Sequence, residues 1–270
     1  MIWNKVLFNQ KSAIFSLVGL LLTTTLLHAD DNPFDGKFPI KEGVVTYAVR
    51  GNHTGSKILY FSDYGREQLI IEKKSGGFLQ KHTASEKITL IKSDVKYVVD
   101  MRKNRAAKSS TLRKKLYTLF QSLTKKEKEN ILENIQHAKP RSYPNIDGIC
   151  TPAAKEILGY PVTREEIDGI TQYSLANGTL VLETSVHLLG YDVDTFATSI
   201  QTRKVDPKFF ELPKDVTIVP QNEENLERKA KKILHAWSTR KLTCRDKLQT
   251  TSENTRRIMF EEIKNLSEKF

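Results

Sequence analysis

Cysteine is nearly absent: 270 residues carry only Cys150 and Cys244, with no Cys-x-x-Cys, so a dithiol redox function has no support. In an oxidising compartment two cysteines allow one disulfide, which here would tie the C-terminal region to the middle of the chain; two free thiols are the alternative. The closed loop is long, so an unstrained bridge would add about 4 to 5 kcal/mol. Long apolar runs are also missing. After residue 29 no segment is apolar enough to cross a bilayer as a helix. No Gly-x-Ser-x-Gly, His-Glu-x-x-His, phosphate-cradling glycine loop or dinucleotide fingerprint occurs. His53, His82, His137, His187 and His235 stand singly, without metal-ligand spacing, and Asp192 and Asp194 read as a solvated strand edge. These absences disfavour an enzyme and give no catalytic residue, metal or cofactor.

What is present begins with a leader. Lys5 and Lys11 precede an almost uncharged run from Ser12 to Leu27, and Leu27-His28-Ala29 places small residues where a signal peptidase reads. Residues 1–29 are therefore expected to be a secretory signal cleaved after Ala29, with a retained anchor as the alternative. In a Gram-negative source the destination is the periplasm. The leader's two lysines taken off the formal net charge of +11 leave +9 on the 241 residues that follow. A basic exported chain meets anionic lipid and envelope polymers rather than genomic DNA, so nucleic acid is not an expected partner.

Period-two alternation runs from Glu42 to Met101. Val45, Tyr47 and Val49 share one face, Lys57 to Phe61 enters a turn at Ser62-Asp63-Tyr64-Gly65, and Arg66 to Lys73 returns. Ile88 and Leu90 mark one further strand and Val95, Tyr97, Val99 the next. The period then changes. Leu112, Leu116, Leu119 and Leu123 recur at helical spacing, and Thr124-x-x-Glu127 has the form of a capping box for a second helix carrying Ile131, Leu132 and Ile135. A helical hairpin over 111–137 is thus inserted between strands. After a proline-rich loop and a short helical turn over Ala153 to Leu158, strands resume at Tyr160, with Asn177-Gly178 as a hairpin turn and a last long strand from Tyr191 to Thr202. Connections this short imply an antiparallel meander. Leu226, Ala230, Ile233, Leu234 and Trp237, then Met259, Ile263, Leu266 and Phe270, form the apolar stripes of a C-terminal helical extension over 221–270.

Charge concentrates between Arg102 and Lys128, where ten cations face the single acid Glu127. Arg102, Lys103, Arg105, Lys108, Arg113, Lys114 and Lys115 are the candidate contacts for a lipid head group or an anionic membrane surface. A solvated face over a packed apolar stripe is the plainer reading of the same pattern. A second basic stretch runs from Arg228 to Lys247.

Glu42-Gly43-Val44-Val45-Thr46-Tyr47 and Gly55-x-x-x-x-Tyr60-Phe61-Ser62-Asp63-Tyr64-Gly65-Arg66-Glu67 resemble the opening hairpins of periplasmic proteins related to the outer-membrane lipoprotein carrier LolA. Ile157-Leu158-Gly159-Tyr160, Gly169 to Leu175, Ala197-Thr198 and Phe210-x-Leu212-Pro213 resemble the second half of that pattern. The resemblance implies an α+β fold: an antiparallel β half-barrel, open and curved, with inserted helices over an apolar concave face. It also implies a carrier-like function, holding acyl chains of lipids or lipoproteins. The expected domains are a signal peptide at 1–29, a half-barrel domain over 30–220 and the extension. The alternative is a scaffold that docks an envelope protein through its C-terminal helices. Carriage predicts a hollow too large for the sheet's own side chains to fill.

Overall fold

The computed structural model describes residues 32–78, 81–138, 149–167, 169–175 and 180–239. The expected leader, the Asn177-Gly178 turn, Cys244, the Cys150 side chain and the stripe from Met259 to Phe270 lie outside the described residues.

Six strands come first: β1 (Gly43–Gly51), β2 (His53–Ser62), β3 (Glu67–Phe78), β4 (Lys81–Lys92), β5 (Val95–Asp100) and β6 (Arg105–Ser110). Helices α1 (Leu112–Gln121) and α2 (Lys125–Ala138) follow. Then come β7 (Ile149–Ile157), β8 (Tyr160–Ile167), β9 (Ile170–Leu175), β10 (Val181–Leu188), β11 (Tyr191–Gln201), β12 (Thr217–Pro220) and α3 (Glu224–Thr239). The strands form one open, curved sheet in the order β12-β6-β5-β4-β3-β2-β1-β11-β10-β9-β8-β7. Each half of the chain makes its own meander, and the two join where β11 returns beside β1, Val45 opposite Ile200 and Val49 opposite Thr195. The α+β half-barrel architecture expected from the sequence is thus the one adopted.

Two local expectations are corrected. Ala153 to Ile157 is not a helical turn but part of β7, paired with β8 from Ile149 opposite Glu166 to Ile157 opposite Tyr160. Ala-Ala-Lys-Glu favours helix, yet sheet pairing overrides that weak preference, and a bulge between Thr151 and Lys155 absorbs Pro152. The meander also has one exception. β12 lies parallel to β6, Ile218 opposite Ala106, a pairing that four residues after a long connection do not announce.

The register places Val45, Tyr47, Leu59 and Phe61 on one face, where they pack with Phe38, Val162, Leu175, Leu180, Leu182 and Ala197. Gly65 adopts φ +83°, and a Cβ there would stand 2.7 Å from the Phe38 ring, so glycine lets this aromatic plug lie against the turn. The opposite face buries Val44 and Leu90 under Val205 and Phe210. The helices form a third cluster. Leu116, Phe120, Ile131, Ala230, Ile233, Leu234 and Trp237 meet around Phe34, whose ring lies 5.5 Å from Phe120 and 6.1 Å from Trp237.

The helix ends follow the sequence closely. Thr111 accepts from the Lys114 N–H, and Thr124 and Glu127 make the reciprocal box, with Thr124 N–H donating to Glu127 at 2.9 Å and Glu127 N–H to Thr124 at 3.4 Å. At the other end of the bundle, Asn134 and Asn130 of α2 donate to the carbonyls of Trp237 and Ser238 at 2.6 and 2.8 Å. These side chains satisfy oxygens that the end of α3 leaves without an intrahelical donor. Glu223 ties the start of α3 to α1 by accepting from the Ser110 N–H at 2.5 Å and the Lys115 ammonium at 2.8 Å.

Candidate functional site

Pairing brings charged residues of four strands onto the face that carries Leu59 and Phe61. Lys57 lies opposite Glu72, and Ile70 opposite Leu59; on the next strand Thr89 and Lys87 stand opposite Ile70 and Glu72; Lys96 then stands opposite Ile91. Because side chains alternate along a strand, all of these point to one side. There, with Thr111 and Leu112 at the start of α1, they line a cavity of about 410 Å³. Ile70, Ile91 and Leu112 give it an apolar part, and Lys57, Lys87 and Lys96 a cationic one.

Its electrostatics are unbalanced. None of the three lysines forms an ion pair within 4.0 Å among the described residues, because Glu72, the acid of the cavity wall, is held by Lys74 at 2.7 Å. Burial pushes the Lys57 ammonium below the ordinary lysine range; Glu72 pulls it back up and Lys74 pushes it further down. Burial lowers Lys96 as well, reinforced by Lys87 and by Lys229 of α3. The Lys57 ammonium also lies 4.8 Å from the centre of the Tyr47 ring, a cation–π contact beside the packed cluster. Tyr47 donates to the Val181 carbonyl at 2.8 Å, and burial raises its phenol.

The seven cations singled out in the sequence lie elsewhere. Arg102 and Lys103 sit in the turn between β5 and β6, their N–H groups donating to Asp100 at 3.0 and 3.2 Å. Arg105 and Lys108 lie on β6, opposite Asp100 and Tyr97, and the Lys108 carbonyl accepts from Gln221. Arg113 is a fastener: 15% exposed, it pairs with Asp35 at 3.5 Å and Asp94 at 3.7 Å and donates to the Ser93 and Arg66 carbonyls. It thereby holds α1 to the turn between β4 and β5 and to the segment before β1. Lys114 belongs to the capped first turn, and Lys115 is paired with Glu223. Of the residues lining the cavity, none comes from these seven.

Sequence reasoning passed over Lys57, Lys87 and Lys96 because they are isolated cations on strands. A signal was nonetheless present. Lys57-x-Leu59-x-Phe61 and Lys87-x-Thr89-x-Ile91 place a lysine in register with residues of a buried face, where burial is costly unless the charge is used. His187, on the β10–β11 hairpin, lies 3.1 Å from Asp192 and 3.7 Å from Asp194 on an exposed surface.

The expected hollow is only partly there. Across β1, β2, β11 and β10 the face is filled by the protein's own side chains, Phe61 and Leu182 both 0% exposed. Open volume remains under the start of α1. Its size falls in the range of small-molecule sites and suits an anionic group with a short apolar attachment.

No family model matches the chain, and no curated protein matches it by sequence. Among solved structures it is similar to an uncharacterized conserved protein from Thermus thermophilus, at 11% identity over 67% of this chain and 91% of that one, with a TM-score of 0.41. It is also similar to LprF from Mycobacterium bovis, at 8% identity over 64% of this chain and 89% of that one, with a TM-score of 0.28. Likenesses this distant say nothing about what the cavity holds.

Proposed function

We propose that the protein is an exported binding protein for an acidic amphiphile, such as a lipid or the acylated end of a lipoprotein, and that it acts as a carrier without catalysis. The observation that carries this reading is the half-apolar, half-cationic cavity between the sheet and α1. An acyl segment against Ile70, Ile91 and Leu112 gains about 0.8 kcal/mol for each methylene removed from water. An acidic head group compensates the half-buried Lys57 and Lys96, whose charged forms burial disfavours, and gives the exposed Lys87 a partner. The sequence of residues 1–29 supports export to the periplasm.

Native mass spectrometry of protein purified without detergent tests the reading: a co-purifying acyl-containing species is expected, and consistently empty protein overturns it. The site of cleavage is checked on the same sample, where the mature N-terminus is expected at Asp30. The scaffold alternative draws no support from α3, whose stripe of Ala230, Ile233, Leu234 and Trp237 is already buried in the helical cluster.

A further inference from the structure

We infer that the group recognised in this cavity is a phosphate monoester carrying two negative charges, seated between the Thr89 hydroxyl, the first turn of α1 and the ammonium groups of Lys57, Lys87 and Lys96. The inference deepens the binding role proposed above and rests on it only for the acyl chain.

Three independent features converge. Thr89 is 7% exposed and lines the cavity, and its hydroxyl has no hydrogen-bond partner among the described residues. Its oxygen is not one of the sealed-off polar atoms of the described residues, so it is open to the cavity and able to donate to a group bound there. Helix α1 has ten residues and begins at the cavity wall. Thr111 caps the Lys114 N–H, but the earlier N–H groups of the turn have no intrahelical carbonyl within reach and favour an anion. The lysines supply the third feature.

Charge arithmetic then distinguishes one anion from another. Three cations face one acid in the wall, and that acid is bridged to Lys74, so a single negative charge leaves the cavity positive. A carboxylate or a phosphodiester brings one charge; a phosphomonoester near neutral pH brings up to two. The cations are lysines, compact point charges approaching from three strands, whereas planar carboxylates are met best by the arginine fork. Three separated donors and a hydroxyl suit a tetrahedral phosphate. The same chemistry is offered by phosphatidic acid and by a free ester such as glycerol 3-phosphate, and the test separates them.

Binding of the full chain to dioleoyl phosphatidic acid, dioleoyl phosphatidylglycerol, oleate and glycerol 3-phosphate is measured by calorimetry, the lipids in matched micelles. Phosphatidic acid is expected to bind at least about tenfold tighter than phosphatidylglycerol, the equivalent of about 1.4 kcal/mol. Thr89→Val and, separately, Lys96→Met are expected to erase that preference while phosphatidylglycerol still binds. Equal affinity of the unaltered protein for the two phospholipids overturns the dianion site and leaves the amphiphile reading standing. Binding of glycerol 3-phosphate with no lipid bound keeps the site and overturns the amphiphile. If none of the four binds, both fall. A preference for phosphatidic acid that survives both substitutions in folded protein, checked by circular dichroism, places recognition outside this cavity and also overturns the inference.

Discussion

One face of one sheet is built in two ways. Across β1, β2, β11 and β10 it is closed by Val45, Tyr47, Phe61, Leu182 and the Phe38 plug, whereas across β3, β4 and β5 the same face carries Lys87, Thr89 and Lys96 around open volume. Lys57 stands at the border, with Tyr47 on one side and Glu72 on the other. Backbone geometry does not separate the two halves, since the ladder runs through both without a break. The difference lies in which side chains the alternation delivers. The filled half is close-packed, and the open half carries the half-buried Lys57 and Lys96, whose charged forms burial disfavours.

The largest expected effect lies in the filled half. Phe61→Ala should cost about 3 to 5 kcal/mol in chemical denaturation, because a close-packed site collapses poorly around the lost ring. A loss under about 1 kcal/mol would mean that this half is loosely packed and the contrast is illusory. In the open half the sign should reverse. Lys57→Met is expected to raise stability by about 1 kcal/mol at pH 7 while weakening anion binding, the usual opposition of stability and function.

The pH dependence sharpens that second case. A lysine whose folded value lies below its ordinary 10.5 penalises folding fully in neutral solution, and the penalty is relieved as pH rises through the lowered value toward 10.5. The unaltered protein should therefore gain on Lys57→Met between neutral and alkaline pH in parallel thermal scans, and a constant difference would contradict the buried-charge account.

Glu223 tests the link between helices and sheet. Its carboxyl is held down to about 2, first by the Lys115 side chain and then by the Ser110 N–H. That contribution is complete above the ordinary value near 4.5 and is lost as pH falls toward 2. Glu223→Gln should cost about 1 kcal/mol at neutral pH after solvent screening, and the cost should vanish in acid. The smallest effect is expected at the turn between β5 and β6. Arg102→Ala should change stability by no more than about 0.5 kcal/mol and leave binding intact; a loss of affinity equal to that of Lys96→Met would move the head-group site out of the cavity.

Much of the fold was legible in the order of residues. Period-two alternation marked β1 to β5 and β8 to β11, the Leu112, Leu116 and Leu119 spacing marked α1, and the Thr124-x-x-Glu127 box marked the start of α2, because each signal is local. β12 and the Ala153 to Ile157 portion of β7 were not legible, since both owe their conformation to a partner strand rather than to their own composition. The cavity was less legible still. A cluster in sequence, Arg102 to Lys115, drew attention to charge that the fold places on a turn, on β6 and in the Arg113 and Lys115 ion pairs. The cations that surround the open volume are scattered along the chain from Lys57 to Lys96, and only strand register gathers them.

Composition and pattern alone determined that this chain begins with the charged, apolar and small-residue pattern expected of a leader, and that it has a meandering sheet, an inserted helical hairpin and an excess of positive charge. Those properties follow from side-chain chemistry and from periods of about 2 and 3.6 residues. Tertiary structure decided which cations are consumed by ion pairs, which stay unpaired, and where the sheet is plugged. Pairing of distant strands and the docking of α1 set those distances, and electrostatic energy depends on distance and burial rather than on order along the chain.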